Sequence, residues 1–221
     1  MSADLLALDG IELSYAGGRV RPLRQLELRL AAGELVCVRG KSGSGKTSLL
    51  LVAGGLLRPQ AGRVRWGEQD PYAGGSGARA RLRATQLGVV FQSFHLLPYL
   101  DLQTNVSLAA GGAEASQVRA ALERVGLSHR ATHRPGALSA GERQRAACAR
   151  ALVGEPRLLL ADEPTGNLDE ENASAVLDAL SEHKERGGAV VLVTHGAVPA
   201  SADRVLELRE GRLEAQAEGR A

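Results

Sequence analysis

Residues 40–47 read GKSGSGKT, which fits the spacing G-x-x-x-x-G-K-[ST]. Gly43 and Gly45 let a backbone curl with its N–H groups pointing inward, and a helix starting at Lys46 presents its positive end to bound phosphates. Lys46 can then neutralise β- and γ-phosphates while the Thr47 hydroxyl binds Mg²⁺. Gly40, Lys41, Ser42, Ser44 and Ser48 make up the rest of this candidate nucleotide-binding stretch. An apolar run at 35–38 precedes it and a helical pattern follows, the strand–loop–helix context such a loop requires. Alone, the loop fits a kinase, a GTPase or a motor equally well.

A second chemical feature is an acidic pair. Residues 157–163 read RLLLADE, an apolar strand that delivers Asp162 and Glu163 at its carboxyl end, where open α/β sheets bind ligands. Successive side chains of an extended strand point to opposite faces, which predicts different tasks for the two acids. Asp162 suits the Mg²⁺ shell, and Glu163 suits orienting and deprotonating an attacking water. The alternative is a pair of solvated acids before a proline turn. Ser139 and Glu142 form an S-x-x-E capping box, with a hydroxyl and free N–H groups near Gly141 that suit an anion. A capped helix without a ligand reads the same way, and nothing in the spacing brings Ser139 to the phosphate loop. Gln92 closes the apolar run 87–91 and can place its amide near Mg²⁺ and water. Phe94, Leu96 and Leu97 after it face either a partner or the core. His195 follows the run 189–193 and can hold a γ-phosphate, although a strand-end histidine is ordinarily structural.

The elements that must position these residues follow from patterning. Continuous apolar runs at 35–38, 87–91, 158–161 and 189–193 suit a parallel sheet buried on both faces. Leu6, Leu8, Ile11 and Leu13 suggest an edge strand, and Leu26, Leu28 and Leu30 alternate as a half-exposed antiparallel strand. Helices are expected at 46–53, at 114–125 with a stop at Gly126, and from Ser139 through Val153 with a stop at Gly154. Asp169 can cap another that runs to about Arg186 and is closed by Gly187 and Gly188. Gly74, Gly75 and Gly77 are expected in a surface loop. Residues 204–214 read as a hairpin turning at Glu210–Gly211, and residues 215–221 as a frayed tail. Alternating strands and helices give an α/β fold with right-handed crossovers. The helix-rich stretch 93–150 interrupts that alternation as a second lobe.

Composition sets the outer limits. With 221 residues, one domain is the expectation. The 27 basic and 25 acidic residues leave a net charge of +2, and no run of five like charges occurs, so direct nucleic-acid binding has no footprint. Lysine occurs only at Lys41, Lys46 and Lys184, against a background of arginine. Cys37 and Cys148 lack metal-type spacing and are expected as buried, reduced thiols. The N-terminus lacks a signal-peptide pattern, and the longest apolar runs fall short of the roughly 18 residues that cross a bilayer.

Taken together these motifs resemble the ATP-binding cassette family across nearly the whole chain. LSAGE at 138–142 resembles the family signature, FQ at 91–92 the glutamine loop, GNLD at 166–169 the loop after the acidic pair, and His195 in LVTHG the switch histidine. Tyr15 resembles the aromatic that stacks on adenine. The resemblance implies a single ATPase domain over 1–221: a P-loop (RecA-like) core of mainly parallel sheet with an antiparallel β subdomain at 1–92 and 151–221, and an inserted helical subdomain at 93–150. It implies ATP and Mg²⁺ as cofactors, with Asp169 among the nucleotide-binding residues and Ser139 and Gly141 serving the nucleotide of a second copy packed head to tail. An integral membrane permease is the other implied partner, met near the residues after Gln92, and the place of work is the cytoplasmic face of the cell membrane. Ala140 replaces the first glycine of the usual signature, and Gly196 stands where an acid is common. DEPTGNLD at 162–169, with FQSFHLLPYL at 91–100, is similar to the lipoprotein-releasing, macrolide-exporting and cell-division branch of bacterial ATPases. That implies ATP-driven conformational change in a permease, or else a switched dimer that regulates an envelope partner. A small-molecule kinase shares Lys46 and Thr47 only, and cassettes acting on nucleic acid or ribosomes carry coiled-coil insertions absent here.

Overall fold

The computed structural model describes residues 4–166, 168–196 and 198–215. Along the chain run β1 (Asp4–Tyr15), β2 (Val20–Ala31), β3 (Leu35–Arg39), α1 (Lys46–Ala53), β4 (Ala61–Trp66), α2 (Ser76–Gln86), β5 (Leu87–Val90) and α3 (Leu102–Ser107). They are followed by α4 (Ala115–Arg124), α5 (Ala140–Leu152), β6 (Leu158–Asp162), α6 (Glu170–Glu185), β7 (Ala189–Thr194), β8 (Arg204–Arg209) and β9 (Arg212–Ala215).

Five parallel strands and one antiparallel one form the main sheet, in the order β5-β6-β7-β3-β8-β9. Its central strands read as continuous apolar runs because both faces are covered. Val36, Val38, Leu158, Leu160, Val191 and Val193 face α1 and the smaller sheet, whereas Leu35, Cys37, Leu159, Ala161, Val190 and Leu192 face α5 and α6. Both thiols are fully buried, and burial pushes Cys37 up to about 11 and Cys148 to about 12, so neither is a reactive thiolate.

The smaller sheet is antiparallel, in the order β2-β1-β4. Here the expectation of an edge strand at Leu6–Leu13 is overturned: β1 is the central strand. Leu6 and Leu8 lie opposite Leu30 and Leu28 of β2 on one side and opposite Trp66 and Val64 of β4 on the other. The second partner, β4, carries only Val64 and Trp66 as buried residues and has no readable alternation of its own. The glycine-rich surface loop also needs correction. Gly74 and Gly75 are exposed, but Gly77 lies inside α2, whose sequence SGARARLRATQ buries no residue and so shows no helical apolar stripe.

The remaining helices follow their caps. Glu114 and Gln117 cap α4, and Gly126 beyond it takes φ +68°. Ser139 caps α5 through the Glu142 N–H at 3.1 Å, with Glu142 returning to the Ser139 N–H at 2.8 Å. Asp169 caps α6 through Asn172 N at 2.8 Å. α3, α4 and α5 follow one another along the chain, and α5 runs past residue 150 to Leu152, carrying Ala146, Cys148 and Ala149 into the core beside the main sheet. The hairpin β8–β9 turns at Glu210 and Gly211, both with positive φ. Residues 216–221 of the expected frayed tail lie outside the described residues. Among the described residues no helix is long and apolar enough to cross a membrane.

Candidate functional site

β3 ends where the phosphate loop begins, and the loop runs directly into α1. Gly43 and Gly45 take φ +78° and +108°, which a side chain would strain. A β-carbon on Gly45 would also lie 2.5 Å from the Pro22 carbonyl oxygen, so β2 and the loop touch backbone to backbone. Gly45 is the N-cap of α1 and offers no side-chain cap, and no acid occupies the first turn. The free N–H groups and positive dipole end of α1 are therefore left for an anion. Lys46 is 8 % exposed, and its Nζ donates to the Gly40 and Lys41 carbonyls at 2.7 and 3.2 Å. Those carbonyls hold the ammonium at the loop's centre without neutralising it.

β6 delivers the acids. Asp162 is its last residue and hydrogen-bonds Thr47, the first hydroxyl of α1. Burial raises the Asp162 carboxyl above its usual range, against the Thr47 bond and the Lys46 charge. The expected opposition of the two acids does not occur. The strand ends at Asp162, Glu163 adopts φ +47°, and both carboxylates line the same cavity. A left-handed non-glycine residue costs roughly 1–2 kcal/mol, so the surroundings of Glu163 must hold it there. They do: its N–H donates to the Val193 carbonyl at 2.9 Å, Oε1 is 2.7 Å from His195 Nδ1 and 3.6 Å from Lys46 Nζ, and Oε2 accepts from His195 N at 3.1 Å and Thr194 Oγ1 at 3.2 Å. Burial acts to raise the Glu163 carboxyl, but the bonds from the His195 ring and backbone and from Thr194 outweigh it and hold the group below its ordinary value.

Tyr15, Ser42, Gly43, Gly45, Lys46, Thr47, Ser48, Gln92, Asp162, Glu163 and His195 thus line one cavity of about 560 Å³, with Val20 and Pro22 as apolar wall. Tyr15 is half-exposed beside the loop, its hydroxyl 3.3 Å from Ser48 Oγ. His195 keeps 61 % of its side chain exposed, so the ring reaches solvent at the cavity mouth while Glu163 holds one nitrogen. Gln92 lies just past β5, in a loop whose backbone is held by Arg150 of α5 at the Phe94 and His95 carbonyls. The apolar residues after it divide: Leu96 packs on the core, Phe94 lies under the Arg143 guanidinium at 5.3 Å, and Leu97 and Tyr99 are exposed.

Six predicted residues do not line this cavity. Ser139 and Gly141 sit at the start of α5 and Asp169 before α6, and none lines this cavity. Gly40, Lys41 and Ser44 belong to the loop but do not line this cavity. Lys41 and Ser44 border a wider cavity of about 860 Å³ against β8 and β9. There Arg24, Lys41, Arg209 and Arg212 face Glu207, Glu210 and Glu214, so the positive charge is largely offset and the field for a polyphosphate is weak. Ala140 is exposed in the first turn of α5 and leaves the cap intact, and the Gly196 N–H is taken by Thr194 Oγ1 at 2.9 Å. Thr194, Val20 and Pro22 went unread in the sequence. Thr194 is detectable only as the neighbour of His195, and the other two carry no signal because their role comes from the chain's return past the loop.

A phosphate loop at the end of a parallel strand, with a buried acid on its first hydroxyl and a second acid beside a histidine, defines a P-loop nucleotide-binding protein. The family model described as "ABC transporter" matches residues 23–166, and the chain belongs to that family. It is 45 % identical to the lipoprotein-releasing system ATP-binding protein LolD of Ruegeria pomeroyi over 98 % of this chain and 100 % of that one. It is 40 % identical to the macrolide export ATP-binding/permease protein MacB 2 of Aeromonas hydrophila over 97 % of this chain but 34 % of that longer one. Among solved structures, the dimeric post-hydrolysis state of the ATP-binding cassette MJ0796 bound to ADP and Pi superposes with a TM-score of 0.88 at 31 % identity, covering 98 % of this chain and 99 % of that one.

Proposed function

We propose that this chain is the ATP-hydrolysing subunit of a membrane-bound extraction or export complex, in which two copies close around two ATP molecules and drive a permease. The observation that carries the reading is the single cavity that unites Lys46, the Thr47–Asp162 pair and the Glu163–His195 pair. ATP fits the residues present. The free N–H groups of the loop and the Lys46 ammonium would hold the triphosphate, and the Tyr15 ring would take the base. Thr47, Asp162 and Gln92 would hold Mg²⁺, which when bound offsets the negative charge of the β- and γ-phosphates.

Glu163 is committed to His195 and Lys46 in this conformation. A γ-phosphate would draw the Lys46 ammonium and the His195 ring toward itself and release the Glu163 carboxylate to take the proton of an attacking water. The water oxygen joins the γ-phosphorus, the bond to the β-phosphate oxygen breaks, and ADP and phosphate leave. Ser139 and Gly141 offer the capped, N–H-rich start of α5 but no route to this cavity within the same chain, which supports their service to a second copy. The dimer named in the MJ0796 structure supports the same arrangement. The exposed Leu97 and Tyr99 beside the Gln92 loop supply apolar area for a permease at the cytoplasmic membrane face, and the lipoprotein-releasing and macrolide-export relatives favour transport over signalling.

Glu163→Gln tests the central role. It should bind ATP and accumulate a dimer by size exclusion while hydrolysis falls by roughly 10²- to 10⁴-fold, the usual contribution of a general base. Turnover near the parent rate would remove Glu163 from the chemistry.

A further inference from the structure

Three observations meet at Asn172, in the first turn of α6. Its side-chain Nδ2 donates to both carboxylate oxygens of Asp169, at 2.7 and 2.8 Å, and its backbone N–H donates to Asp169 Oδ1 at 2.8 Å. Its Oδ1 accepts from Arg145 Nη1 on α5, the only side-chain hydrogen bond of Arg145 among the described residues. Its carboxamide also occupies the space that a β-carbon on Gly141 would need, overlapping it at Cγ and Oδ1. Only one orientation of the amide serves both neighbours, because a carboxylate needs the donor and a guanidinium needs the acceptor. One side chain therefore fastens the exposed Asp169 to the turn of α5 that carries Ser139 and Gly141.

We infer that Asn172 is a positioning residue that locks the Asp169 loop and the Gly141 turn into one unit, so that both meet the nucleotide of the second copy in fixed relation. The inference rests on the head-to-tail reading given above. It also accounts for the glycine at 141. A side chain there would displace Asn172 and release Asp169 with it. Two variants separate the links. Asn172→Ala removes both tethers. Asn172→Asp keeps the size beneath Gly141 and the acceptor for Arg145 but sets a carboxylate against Asp169.

The experiment uses the Glu163→Gln chain and measures ATP-driven dimerisation by sedimentation, together with ATP affinity of the single copy at concentrations below dimerisation. Asn172→Ala and Asn172→Asp should each weaken dimerisation roughly tenfold, the effect of losing charge-assisted hydrogen bonds, with single-copy ATP affinity unchanged. In an Asp169→Ala background the penalty of Asn172→Asp should vanish, since its target is gone. Should Asn172→Asp dimerise like its parent, or its penalty add fully to that of Asp169→Ala, the positioning role is overturned. A change in single-copy ATP affinity equal to the loss in dimerisation overturns it as well, because the defect would then lie in the fold or the cavity. If the Glu163→Gln parent itself forms no dimer with ATP, the head-to-tail reading fails and takes this inference with it, an outcome distinct from failure of the Asn172 variants alone.

Discussion

His183 should make the fold sensitive to acid in a window that can be calculated. It lies in the last turn of α6, 7 % exposed, its ring filling the space beside Gly188 and its Nε2 buried without a partner among the described residues. Burial lowers its pKa from 6.5 to about 4, helped by the nearby Arg124 charge and opposed by Glu155. The folded pKa is depressed, so between pH 6.5 and 4 the unfolded chain binds a proton that the folded chain refuses. Stability from this group is fully present above 6.5 and is lost as pH falls, up to about 3 kcal/mol for a shift of this size. The two titrations combined leave a loss of about 2 kcal/mol between pH 7 and pH 5. His183→Leu removes the titration while keeping an apolar filler beside Gly188. Urea unfolding of both chains at pH 7, 6 and 5, followed by far-ultraviolet circular dichroism and the single tryptophan, Trp66, gives the difference in stability at each pH. Taking the difference cancels the carboxylates common to both chains. The parent's advantage should shrink by about 2 kcal/mol from pH 7 to 5, or its deficit grow by as much. A difference that stays within about 0.5 kcal/mol across that range would show that the ring is not held neutral by burial.

Gly45→Ala should cost the loop about 1–2 kcal/mol for a left-handed alanine alone, with further loss from the approach to Pro22, and ATP affinity should fall by at least tenfold in calorimetry. Unchanged affinity would mean that β2 and the loop do not constrain each other. Lys46→Ala and Ser139→Arg should each be inactive alone, yet mixing equal amounts of exchanging chains should restore about a quarter of parental turnover if the sites act independently. Half the dimers are then mixed, and each carries one intact site. A mixture that exchanges subunits and stays inactive would count against a site shared between copies.

Much of this protein was legible wherever the chemistry is local. The GKSGSGKT loop, the capping box at Ser139, the Asp169 cap and the apolar runs of β3, β5, β6 and β7 all depend on residues a few positions apart. Spacing alone therefore specifies their backbone. α2 was not legible, because an arginine-rich helix that buries nothing has no period to detect. Nor was the central place of β1, since β4 begins far along the chain and pairing is decided by which strand reaches it. The site divides along the same line. Residue types named the phosphate loop and the acidic pair, but alternation along a strand set Asp162 and Glu163 on opposite faces. The folded chain turns Glu163 left-handed, where bonds to Val193, Thr194 and His195, all on or just past β7, hold it in the same cavity as Asp162. Likewise the sequence marks Gly141 and Asp169 only as separate motifs. Asn172 grips Asp169 three residues before it, a local contact, but that the same side chain lies under Gly141 follows from the packing of α6 on α5, a contact between residues too far apart in sequence to carry a periodic or local signal.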